Sequence, residues 1–149
     1  MSVIDPVAAL QAALAAEHAA VFGYGVAGAR LSGAAQASAR TLWDAHRATR
    51  DRLAAMITAR HAVPVAAAAA YRLPVRITSP RTAATCVATL EERLAAAYLG
   101  LVGVDDVKLR TLGAESMQEA ITRAVRWRNA PPRSSFPGIG STGLYPIPD

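Results

Sequence analysis

The stretch AVPVAAAAAYRLPVRIT, residues 62–78, decides how the rest of the chain can be arranged. Pro64 and Pro74 each remove a backbone donor and disfavour helix in the residue before them, so the segment is expected to be extended. Its length then sets the topology. The helical pattern before it covers residues 34 to 61, which at 1.5 Å per residue makes a helix ~42 Å long. An extended connection of this size reaches ~55 Å. It can therefore run the length of the preceding helix and start the next one at the same end.

Working outward, each side of this connection reads as a pair of helices. Asp5-Pro6 is a start signal, a capping side chain followed by proline at the first helical position. Val7, Leu10, Leu14, Glu17, Val21, Tyr24, Gly28 and Leu31 then follow an unbroken 3-4 spacing, one stripe of a long helix. The second helix carries Ala39, Leu42, His46, Thr49, Leu53, Met56 and Arg60 on its seam. Ser79-Pro80 repeats the start signal, opening a third helix through Val87, Leu90, Leu94, Ala97 and Leu101. After a break at residues 100–106, a fourth helix runs through Leu109, Leu112, Met117, Ile121 and Val125 to Arg128, and Pro131-Pro132 ends it. The turns between helices one and two and between three and four are short, so each pair forms an antiparallel hairpin. The expected fold is all-α: a ferritin-like four-helix bundle at 1–128, with a long crossover between helices two and three, followed by an extended tail at 129–149.

Composition agrees with this. The 149 residues suffice for one domain with a single core. Alanine supplies 35 of them, which favours helices over strands and lets helices approach closely. The single cysteine, Cys86, excludes an internal disulfide and any multi-cysteine zinc site. The net charge of +5 comes from 15 arginines and one lysine. They are dispersed along the chain with no aromatic-plus-basic platform, so solvated helix faces are expected rather than nucleic-acid binding. Met1 to Pro6 lacks the features of a signal peptide, and Gln11, Glu17 and His18 interrupt the one stretch apolar enough to span a membrane. The expectation is a cytoplasmic protein that does not enter a membrane. Thin helices bury little area each, which favours a homo-oligomer, most simply a homodimer.

The informative residues are polar ones on apolar seams. Glu17 and His46 stand where the stripes call for leucine, and Glu91 and Glu92 fall in the middle of helix three. Of these two, Glu91, three residues before Leu94, is the one expected to face inward. Glu115 and Glu119 lie one turn apart on helix four. One inward carboxylate per helix plus histidine is the raw material of a di-metal carboxylate site. Such a site draws on Glu-x-x-His pairs, and neither helix two nor helix four carries one. The favoured reading is therefore a buried polar network of Glu17 and His46. Arg47 or Arg50 would supply the compensating charge, and Tyr24 and Tyr98 could add hydroxyls. No cofactor is expected. The alternative is a metal-dependent oxidoreductase or iron-handling protein, with iron or manganese on a reduced set of Glu17, His46, Glu91 and a helix-four carboxylate.

The run Leu10-Gln11-Ala12-Ala13-Leu14-Ala15-Ala16-Glu17-His18-Ala19-Ala20-Val21-Phe22-Gly23-Tyr24-Gly25 resembles the opening of an uncharacterised actinobacterial family of the ferritin-like superfamily, domain of unknown function 4439. Three further stretches are similar to it: residues 46–53, residues 69–74, and Arg126-Trp127-Arg128 leading to Phe136-Pro137-Gly138. The resemblance implies a four-helix fold and no particular activity. Alongside it we expect Glu17, His46, Arg47, Arg50 and Tyr71 in one polar cluster, with Arg126, Trp127 and Arg128 closing its end. In the tail, Phe136, Leu144 and Tyr145 would anchor a strap over the bundle. A sharper reading makes Gly138-Ile139-Gly140-Ser141 a docking peptide, since it resembles the tails that carry ferritin-like cargo into encapsulin shells. The expected role is binding or oligomerisation without an intact di-iron site.

Overall fold

The computed structural model describes residues 4–132. They form four helices: α1 (Pro6–Gly28), α2 (Gly33–Thr58), α3 (Pro80–Val102) and α4 (Val107–Arg128). The start signals act as their chemistry requires. Asp5 accepts from the Val7 and Ala8 amides with Pro6 behind it, and Asp106 accepts from Lys108 and Leu109. Ser79 and Thr82 bond reciprocally as a capping box. At the other end of α4, Asn129 takes up left-handed backbone (φ 51°) just before Pro131 and Pro132. The second helix stops at Thr58, three residues short of the sequence expectation, because His61 turns the chain with φ 60°.

α1 lies against both α2 and α3, and α3 against α4. Gly100 near the end of α3 meets Ala9 near the start of α1, while Gly23 sits by Leu90, so α1 and α3 are antiparallel. Since α2 turns back from α1, α2 and α3 run parallel, as the length of the crossover allows. The crossover itself is tied to α1. Gln11 holds the carbonyl of Val63 (2.7 Å) and the amide of Val65 (2.8 Å), His18 Nε2 is 2.9 Å from the Val65 carbonyl, and Leu73 reaches Gly23. The fold is a four-helix bundle of two antiparallel hairpins joined by one long crossover.

The core is split in two. One cluster holds Leu10, Leu14, Leu53, Ile57, Leu94, Tyr98, Leu101 and Leu109. The other holds Tyr24, Ala27, Ala39, Ala83 and Val87, with Trp43 and Trp127 packed on it. On three separate helices Glu17, His46 and Glu91 are buried as well. The small residues serve close packing at particular places. At Gly113, a Cβ would stand 2.9 Å from that of Leu101 and 3.0 Å from the Tyr98 carbonyl oxygen. α2 has no comparably extended seam with α4, which leaves a cleft between those two helices.

Among the described residues, no helix is long and apolar enough to cross a membrane. The expected tail strap and the docking peptide around Gly138 fall outside the described residues.

Candidate functional site

Each helix contributes one charged side chain to the middle of the bundle. α1 supplies Glu17, α2 His46, α3 Glu91 and α4 Arg123. The first three expose 2%, 3% and 0% of their surface, so the layer is dry enough for every charge to need a partner. His46 is the hinge of the arrangement. Its Nδ1 lies 2.7 Å from Glu17 Oε2 and its Nε2 lies 2.9 Å from Glu91 Oε1. A carboxylate only accepts, so both ring nitrogens donate, and an imidazole with two N–H groups is a cation. Burial by itself would push the His46 pKa down, but the hydrogen bonds and charges of the two glutamates outweigh it and hold the group up at about 9.

Arg123 closes the layer from α4, donating through Nε to Glu91 Oε1 at 2.9 Å. Burial opposes ionisation of Glu91, yet His46 and Arg123 hold its pKa below the ordinary carboxylate value. Glu91 in turn raises that of Arg123 against the effect of its own burial. Two tyrosines finish the network. Tyr98 donates to Glu17 Oε1 (2.6 Å) and Tyr24 to Glu91 Oε1 (2.7 Å), while the Trp127 indole N–H donates to the Tyr24 oxygen (2.9 Å). Burial, then the adjacent carboxylates, push both phenols well above their usual range, so they stay protonated donors. Two carboxylates face two cations, and the layer is neutral. Glu91 Oε1 receives three donors, whereas Oε2 is buried and accepts none among the described residues.

A di-metal carboxylate site needs carboxylate and imidazole lone pairs converging on the ions. Here both His46 nitrogens are turned onto carboxylates, and α4 presents a guanidinium to Glu91. The residues present do not fit a metal. Among the described residues, no group of three or more His, Cys, Asp or Glu side chains is placed to hold one. Glu115 and Glu119, the candidate ligands on helix four, are exposed.

Of the residues singled out from sequence, the structure brings Glu17, Tyr24, His46, Glu91 and Tyr98 together, with Trp127 at the edge. Arg47, Arg50 and Tyr71 lie elsewhere. The Arg47 guanidinium rests 4.4 Å over the Trp43 ring and reaches Asp44, Arg50 pairs with Asp51 at 2.8 Å, and the Tyr71 hydroxyl accepts from the Ala68 amide while its ring packs on Phe22. The reason is that α2 rests on α1 alone among its extended contacts, so it buries only the stripe Ala39, His46, Leu53 and Ile57. Positions one and four residues after His46 fall on its edges. Glu92 points away from the layer and binds Arg128, whose guanidinium also reaches Thr89. Cys86 is buried, and burial pushes its thiol pKa up.

Arg123 is the residue that sequence reasoning missed. The signal existed: Leu109, Gly113, Ser116, Ala120, Arg123 and Trp127 follow a 4-3-4-3-4 spacing. The larger apolar residues Leu112, Met117, Ile121 and Val125 drew the stripe to an adjacent face.

Fold and layer together define a class of protein: a four-helix bundle whose centre is a closed, charge-balanced set of side chains drawn from all four helices. The chain belongs to the family described as Domain of unknown function (DUF4439), which matches residues 9–141. It is similar to a conserved hypothetical protein, rv2844, from Mycobacterium tuberculosis, known from a crystal structure. The two share 30% identity with a TM-score of 0.79, over 83% of this chain and 95% of the other. The chain matches no curated protein sequence.

Proposed function

We propose that this protein is a non-catalytic bundle that works in the cytoplasm through binding and self-association, most simply as a homodimer. In this reading the buried layer fixes the register of the four helices rather than reacting. The observation that carries it is the double engagement of His46, whose two ring nitrogens are each held by a different glutamate. A general base or a metal ligand needs a nitrogen with a free lone pair, and this ring has none to offer. Buried ionic groups of this kind give conformational specificity at some expense of stability, and here they interrupt a core in which alanine and leucine predominate. The alternative, iron or manganese chemistry on a reduced ligand set, would have to take His46 from the two glutamates that hold both its nitrogens.

The test is metal analysis of the full chain purified without chelators, together with sedimentation in the absence of added metal. The expected outcome is iron and manganese far below one ion per chain, a dimer, and a melting temperature indifferent to EDTA. Stoichiometric iron or manganese, or a fall in melting temperature with EDTA, would overturn the non-metal reading. A monomer throughout would overturn self-association.

A further inference from the structure

We propose that the cleft between α2 and α4 is a binding site for small organic carboxylates that carry a planar apolar body. The cleft has a volume of about 470 Å³, within the range of small-molecule sites. Ser38, Thr41 and Leu42 line it from α2, and Arg123, Arg126 and Trp127 from α4. It exists because α2 and α4 form no extended seam.

The lining selects the ligand. Arg126 is exposed and has no charged partner among the described residues. Arg123 is fixed through Nε on Glu91 and approached at Nη1 by Glu119, which leaves its Nη2 hydrogens to face an anion. Two guanidiniums suit a carboxylate, Arg126 through paired N–H groups and Arg123 through its remaining nitrogen. Beside them, Leu42 and the Trp127 ring offer apolar surface, and the bond from the Trp127 N–H to Tyr24 holds that ring in place before any ligand arrives. The Ser38 hydroxyl completes a site with one cationic end and one apolar wall, while the Thr41 hydroxyl donates to the Ala37 carbonyl (3.1 Å). A metal cation is repelled by such an end, and the cleft has too few cations to follow a polyphosphate backbone. The chain's charge of +5 adds a general attraction for anions. One acidic group competes: Glu119, 71% exposed, stands 3.6 Å from Arg123 Nη1 outside the cleft lining.

This site deepens the binding role proposed above and rests on it only in that the bundle acts by holding another molecule. The experiment is calorimetric titration of the full chain with benzoate and its neutral isostere benzamide. Saturable binding of a carboxylate is expected, with benzamide weaker by about tenfold or more for want of charge-assisted hydrogen bonds. Arg126→Gln, at an exposed position, should weaken benzoate by about tenfold with the melting temperature unchanged. Glu119→Gln should tighten it by freeing Arg123. Absence of saturable carboxylate binding, equal affinity for benzoate and benzamide, or no effect of Arg126→Gln would overturn the site. Such a failure with dimerisation intact leaves the broader reading standing, so the two are distinguishable.

Discussion

His46 is held as a cation by the two carboxylates that flank it, and Glu91 is held as an anion by His46 and Arg123. Removing one member therefore leaves buried charge without a partner. His46→Leu should cost about 3–5 kcal/mol, the usual penalty for breaking a buried ion pair from one side. Replacing the network as a whole is different in sign of logic: with Glu17→Leu, Tyr24→Phe, His46→Leu, Glu91→Leu, Tyr98→Phe and Arg123→Met combined, no buried charge is left to desolvate. That variant should come within about 2 kcal/mol of the parent or exceed it. Urea unfolding of both variants checks this, and a combined variant no more stable than His46→Leu would refute the charge-balance argument. Glu17 and His46 were legible in the sequence because a charge on a leucine stripe has to be answered inside the fold. Their partner on α4 was not. Arg123 shares its stripe with Gly113 and Ala120, residues too small to mark a buried face by hydropathy.

At the scale of elements, the crossover was readable because extended chain and helix have fixed rises per residue, and α2 at 26 residues is about 39 Å long. Which helices touch was less readable. The seams of α2 and α4 do not say which helices they face; α2 leans on α1 and leaves α4 across a cleft. Helix approach also gives one substitution opposite signs at two positions. At Gly113 an added methyl meets the backbone of α3, the Tyr98 carbonyl oxygen and the Val102 nitrogen among its neighbours. Gly113→Ala should destabilise by about 1–3 kcal/mol in spite of better helix propensity. At Gly25 the nearest atom to such a methyl is Trp43 Nε1 at 3.7 Å, an ordinary contact. Gly25→Ala should therefore stabilise by about 0.5–1 kcal/mol. Thermal unfolding of the two variants gives the comparison directly, and shifts of the same sign would contradict the packing described.

For the whole molecule, a charged layer at its centre makes stability depend on pH with a defined sign. The folded pKa of His46, about 9, lies above its ordinary 6.5. Its contribution is therefore fully present below pH 6.5 and lost as the pH rises through 9. A shift of that size corresponds to something on the order of 3 kcal/mol. Glu91 works in the other direction, its lowered pKa giving stability above the ordinary 4.5 that is lost as pH falls. The two leave maximum stability between about pH 5 and pH 6.5, with a decline on the alkaline side. Tyr24 and Tyr98 stay protonated across that range and do not blur it. The most direct measurement is the protonation state of His46 itself, read from the nitrogen chemical shifts of its ring through a pH titration of the folded protein. A doubly protonated ring at pH 7, titrating near pH 9, is the predicted result. A neutral ring at pH 7, with a midpoint at or below 6.5, would contradict the closed ion layer on which the account rests.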